Sequence, residues 1–170
     1  MLYTDINRYF NCIFKEQVVS GEDRRGQITA EIAERTGITE AMIERVVRAF
    51  YSKVRHDAVL APIFEARIHD WEPHLQQMCA FWSSVALMSG RYHGTPMVKH
   101  MPLPVDAAHF DRWLALFEAT VREICPPQAE AHFIERARRI ATSLELGIAI
   151  GAGVLLGRGE RFRRQAGGHQ

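Results

Sequence analysis

Apolar side chains return every three or four residues along most of the chain, the spacing of helices with one buried face. Sustained two-residue alternation is absent, and so are Asn-Gly and Asp-Gly hairpin turns, so strands are not expected. Ile28 to Arg35 fits a short helix that stops at Gly37. Thr39 is placed to cap a longer one, with Ile38 and Ile43 at hydrophobic-staple spacing. That helix turns Ile43, Val47, Phe50, Tyr51 and Val54 inward, and Ala61-Pro62-Ile63-Phe64 then breaks the pattern and reads as a corner.

Asp70 is placed to cap a second long helix, whose stripe runs Trp71, Leu75, Met78, Phe81/Trp82, Val85 and Met88, with His74 among them. Ser89-Gly90 ends it, and a loop continues through Gly94. Thr95-Pro96 opens a short helix by the N-cap and first-turn proline rules, and Pro102 and Pro104 stop it just beyond His100. Asp106 starts the next helix, with Phe110, Trp113/Leu114, Phe117, Val121 and Ile124 inward, and Cys125-Pro126-Pro127 ends it. A last helix carries Phe133/Ile134, Ala137, Ile140/Ala141, Leu144 and Ile148. Four substantial amphipathic helices and one short one predict a compact all-α domain. Residues 1–27 are the least regular part, and Ser20 to Gly26 reads as a linker.

The chain has 170 residues, 47% hydrophobic and 24% charged, enough for one buried core. A net charge of +1 gives no footprint for nucleic acid or an acidic membrane face. The basic cluster Arg158, Arg161, Arg163 and Arg164, flanked by glycines, reads as a solvated tail. Three widely separated cysteines, Cys12, Cys79 and Cys125, imply neither a disulfide framework nor a structural zinc site, and so a reducing cytoplasm. Asp5, Arg8 and Lys15 break up any signal-peptide pattern, and the apolar run Leu146 to Leu156 is too short for membrane insertion.

The sequence contains no Gly-x-Ser-x-Gly, phosphate-binding glycine loop, His-Glu-x-x-His or EF-hand loop. What remains is a set of polar side chains on apolar faces: Tyr51, His74, His100 and Trp113. Singly, each has an ordinary structural role: a core tyrosine with a backbone partner, a core aromatic, a half-exposed histidine, a cation at a helix end. Together they fit one pocket with one open, chemistry-bearing metal. His56, His69, His109 and His132 fall on polar or loop positions, His93 lies in the glycine loop and His169 near the end of the chain.

Three stretches closely resemble the group III truncated haemoglobins, in order and at the right spacing. They are Phe50-Tyr51-Ser52-Lys53-Val54-Arg55 with Pro62-Ile63-Phe64; Phe81-Trp82-Ser83 followed by Gly90-Arg91-Tyr92-His93-Gly94-Thr95-Pro96-Met97-Val98-Lys99-His100; and His109-Phe110-Asp111-Arg112-Trp113-Leu114-Ala115-Leu116-Phe117. The resemblance implies a globin domain over 28–162, helices packed two over two around haem b, with 1–27 an extension and 163–170 a polar tail. It assigns His100 as the proximal iron ligand, Phe64 to the haem face, and Tyr51, His74 and Trp113 to the distal side. Phe50, Met78, Phe81 and Trp82 are further haem-pocket candidates, and Arg91, Tyr92 and Lys99 lie where a haem propionate would be met. His74 stands as a third donor, a gate or a sixth ligand.

The resemblance implies binding of oxygen, nitric oxide, carbon monoxide or peroxide, for chemistry or sensing rather than bulk transport. Turnover as a nitric oxide dioxygenase or peroxidase would need a separate reductase, because the sequence carries no flavin or nicotinamide motif. The alternative is a haem-free globin-fold regulatory or interaction module.

Overall fold

The computed structural model describes residue 21 and residues 23–164, and all regular structure among them is helical. Helix α1 covers residues 23–36. It is followed by α2 (Glu40–Val54), α3 (Ala61–Glu65), α4 (Trp71–Leu87), α5 (Pro96–His100), α6 (Ala107–Ile124) and α7 (Pro127–Gly151). Helix α2 packs on both α4 and α6, α6 packs on α7, and α5 rests against α7.

The expected caps are in place. Thr39 accepts the Met42 N–H, Asp70 the Glu72 N–H and Asp106 the Ala108 N–H, each satisfying an orphan donor of a first turn. Ile38 and Ile43 are fully buried, as a staple requires. His109 completes the Asp106 cap by meeting the Asp106 backbone N–H. Pro96 opens α5, but Thr95 makes no side-chain cap.

Four expectations need correction. Residue 21 and residues 23–36 are helical, so α1 includes part of the stretch read as a linker, where Arg24 and Arg25 are good helix formers. The Ala61–Phe64 corner is itself the one-turn helix α3. Met88 leaves the apolar stripe: it is the left-handed C-cap of α4 (φ 60°) and is 54% exposed. Arg161 and Arg164 are exposed, but they are tied to the fold rather than free in a tail. Arg161 pairs with Glu145 and Asp111, and Arg164 donates to the carbonyls of Leu103 and Val105. Residues 1–20 and 165–170, with the start of the extension and the end of the polar tail, lie outside the described residues.

Two apolar clusters hold the helices together. The larger joins α1, α2, α4, α6 and the start of α7 around Ile43, Val47, Phe50, Trp82, Phe117 and Phe133. Its centre is a column of rings. Trp82 stacks on Phe117 at 4.6 Å, and Phe117 stacks on Trp113 at 5.3 Å, tilted by only 2°. Each such pair adds about 0.5–1.5 kcal/mol to simple burial, so the column also fixes the direction in which Trp113 faces. The smaller cluster joins Val105, Phe110, Ile148 and Phe162.

The C-terminal end of α4 is closed from outside. His132 Nε2 meets the Ala86 carbonyl at 2.8 Å, and Arg136 Nε donates to the Val85 carbonyl at 3.0 Å. Both side chains come from α7 and satisfy carbonyls that a helix end leaves unpaired. No described helix is long and apolar enough to cross a membrane.

Candidate functional site

Tyr51 is on the buried face of α2, in the last turn before Arg55 ends the helix. Its ring meets Phe64 of α3 at 5.8 Å, Trp71 of α4 at 6.0 Å and His74 of α4 at 5.1 Å, the last edge-on. One ring thus gathers three elements. Burial pushes the Tyr51 phenol well above its ordinary pKa, so it remains a neutral O–H donor.

His74 sits one turn into α4. Its Nε2 is buried without a hydrogen-bond partner, a rare state for a polar atom. Burial first, then the nearby Lys99 charge, holds its pKa below the ordinary histidine value. His74 is therefore neutral at pH 7 and lies within electrostatic reach of α5. Beside it, Arg67, His69, Asp70 and Gln77 line an open recess of about 480 Å³.

His100 is the last residue of α5 and is partly buried. Its Nδ1 lies 2.7 Å from the Pro96 carbonyl. A carbonyl only accepts, so Nδ1 carries the proton and Nε2 carries the lone pair. A carbonyl held against one ring nitrogen fixes the tautomer and the orientation of the imidazole, as a metal-binding histidine requires. Helix α5 comes close to α7 because α7 has glycine at the contact. A Cβ on Gly147 would lie 2.1 Å from the Met97 sulfur, and one on Gly151 would lie 3.1 Å from the Met101 methyl.

The remaining candidates separate into three groups. Phe64, Met78, Phe81 and Trp113 are half-buried, apolar faces at the margin of the core. Phe50 and Trp82 are 1% and 2% exposed and stand one layer behind, enclosed by Tyr51, Trp113, Phe117 and Phe133. Arg91, Tyr92 and Lys99 do not form a common cluster. Arg91 pairs with Glu40, Tyr92 packs on Phe81 at 5.2 Å, and Lys99 is exposed. Among the described residues, no three His, Cys, Asp or Glu side chains converge on one point.

The bacterial-like globin family model matches residues 32–145. The chain belongs to that family. It is 32% identical to the group 3 truncated haemoglobin of Campylobacter jejuni over 113 residues, 64% of this chain and 89% of the relative. The crystal structure of the group III truncated haemoglobin from that organism superposes with a TM-score of 0.60, covering 63% of this chain and 88% of its own. Haemoglobins from Chloroflexus aurantiacus and Thermobifida fusca, each 25% identical, both give a TM-score of 0.56 over 66% of this chain. They cover 95% and 94% of their own lengths, respectively.

Haem b is the cofactor of this globin family, and the side chains here fit it. A histidine imidazole is a common protein ligand of haem iron, and His100 would hold it here. His100 presents one oriented imidazole, while the unpaired His74 Nε2 and the neutral Tyr51 phenol form a separate polar group.

The supporting layer was the part least visible in the sequence. Ser83 is fully buried, and its hydroxyl lies 2.7 Å from a Glu40 carboxylate oxygen and 2.6 Å from the Ser89 hydroxyl. Glu145 is 5% exposed. A single acid between Leu144 and Leu146, on the inward side of an apolar run, was its only signal.

Proposed function

We propose that this truncated haemoglobin would hold haem through His100 and bind a diatomic ligand there, oxygen, nitric oxide or carbon monoxide, and that Tyr51, His74 and Trp113 control its release. When bound, the haem supplies an iron with one position open to such a ligand. His100 Nε2 is the protein ligand, and the Pro96 carbonyl keeps its tautomer fixed. Tyr51 offers an O–H and Trp113 an indole N–H toward negative charge on the ligand. His74, neutral, offers a third polar nitrogen.

The observation that carries this reading is the buried, unpartnered His74 Nε2 beside the Tyr51 ring. A polar atom enclosed without a partner costs about 1–3 kcal/mol, and a ligand-binding pocket gives it a use. A hydrogen bond to a charged group contributes about 1.5–3 kcal/mol, so each donor slows release roughly 10- to 150-fold. Slow release suits peroxide or nitric oxide chemistry, or sensing, better than bulk transport. Catalytic turnover would draw electrons from a separate reductase.

The test is an absorption spectrum of the haem-loaded protein, reduced and exposed to carbon monoxide, beside His100→Ala. A Soret band that shifts with carbon monoxide in the wild type, with weakened and altered haem binding in the variant, is the expected result. Unchanged haem affinity and spectrum in His100→Ala would overturn the ligand assignment. No stoichiometric haem uptake by the wild type would favour the haem-free interaction module.

A further inference from the structure

The family match ends at residue 145, but the folded chain does not. Helix α7 runs on to Gly151, and residues 161–164 come back across the segment that follows His100. Arg161 Nε donates to both oxygens of Glu145 at 2.9 Å, and its Nη2 donates to Asp111 of α6 at 2.8 Å. The Phe162 N–H donates to Glu145 Oε1 at 2.8 Å, and the Phe162 carbonyl accepts the Ala107 N–H at 2.8 Å. The Phe162 ring is 3% exposed, within the smaller core. This segment is therefore anchored at both its side chains and its backbone.

Its last described residue reaches the proximal side. Arg164 Nη2 donates to the Leu103 carbonyl at 2.9 Å, and its Nε donates to the Val105 carbonyl at 3.2 Å. The Leu103 N–H in turn donates to the His100 carbonyl at 2.9 Å. Only one residue and one hydrogen bond separate the guanidinium from the backbone of His100. That support has a physical reason. Helix α5 has five residues and no side-chain N-cap, so it has little stability of its own. The loop after it contains Pro102 and Pro104, which have no N–H to donate. A planar, multiply donating guanidinium supplies what such a loop lacks.

We propose that residues 161–164 form a strap that positions His100, with Arg164 as its positioning residue. The strap holds the 101–106 loop, the loop holds the end of α5, and α5 sets the tilt of the imidazole. This rests on His100 being the iron ligand.

The experiment uses the full-length, haem-loaded protein and compares wild type with Arg164→Met, Arg164→Lys and the exposed-site control Arg163→Met. Three quantities are read: the iron–histidine stretching band of the ferrous protein, the rate of haem transfer to an acceptor apoglobin, and far-ultraviolet circular dichroism. Arg164→Met should shift and broaden the band and speed haem loss about tenfold, with helix content unchanged. Arg164→Lys should restore part of the effect, because one ammonium cannot span two carbonyls as a guanidinium does. Arg163→Met should match the wild type. A wild-type band that persists unshifted in Arg164→Met, with unchanged haem loss, overturns the strap. Absence of any iron–histidine band in the wild type overturns the ligand assignment instead. If Arg164→Met loses its helical signal, Arg164→Lys decides: a band and rate like wild type overturn the strap, and a shifted band supports it.

Discussion

Asp57 is the side chain whose replacement should show most directly how the turn between α2 and α3 is held. Its carboxylate is 4% exposed, and its two oxygens have different partners. Oδ1 accepts the N–H groups of Val59 at 3.1 Å and Leu60 at 3.0 Å. Oδ2 receives Arg112 Nε at 2.6 Å and Nη2 at 2.5 Å, joining the turn to α6 beside Trp113. Asparagine keeps an oxygen for the two amides but sets an NH2 against the guanidinium. The lost charge-assisted bonds contribute about 1.5–3 kcal/mol. Arg112 is 48% exposed and can turn to water, so Asp57→Asn should cost about 2 kcal/mol. Asp57→Ala also removes the turn cap and should cost about 3 kcal/mol.

The pH dependence has a definite sign. The Arg112 guanidinium holds the Asp57 carboxyl below the usual carboxylate range. Its contribution is therefore complete above the unfolded-state pKa, about 4, and is lost as pH falls through the lower folded value. Urea unfolding of wild type and Asp57→Asn, at matched haem stoichiometry, should differ by about 1 M in midpoint at pH 7. The difference should shrink progressively below about pH 4. Coincident midpoints at pH 7, or a gap independent of pH, would refute the account of the ion pair.

Three further outcomes can be checked. Tyr51→Phe should raise the oxygen off-rate about 10- to 150-fold in stopped-flow measurements, and an unchanged rate would remove Tyr51 from ligand control. Phe162→Ala, which empties a site in the smaller core, should cost about 3–5 kcal/mol in denaturant unfolding, and a loss below 1 kcal/mol would mean the ring is not packed there. Met88→Gly should stabilise the protein by about 0.5 kcal/mol, since it relieves a left-handed backbone at an exposed side chain; destabilisation would show that the Met88 side chain has a packing role.

The long helices were legible because their signals are local. Thr39, Asp70 and Asp106 stand where caps are needed, and the inward residues of α2 and α6 repeat at helical spacing. Membership of the globin family was also legible, because its motifs are runs of neighbouring residues. The strap was not. Arg164 and Leu103 are 61 positions apart, and nothing local distinguishes an arginine in a basic, glycine-flanked run from a solvated one. Phe162, the one bulky apolar residue in that run, was the available clue. Helical spacing marks Trp82 and Phe50 as inward but does not report their depth. The stacking of Trp82 on Phe117, and of Phe117 on Trp113, sets that depth.

The separation between His100 and its support has a consequence during synthesis. At about 5–20 residues per second, a ribosome that has just added Leu103 needs roughly another 3–12 s to reach Arg164. Over that interval α6 and α7 are completed and the aromatic column can assemble, but the end of α5 still lacks its clamp. A nascent chain should therefore capture haem loosely at first and tighten on it only when residues 161–164 emerge. Chains clipped just before this segment lose the Phe162 ring and the Arg161 partner of Glu145 along with the clamp, and should be less stable as well as quicker to exchange their haem.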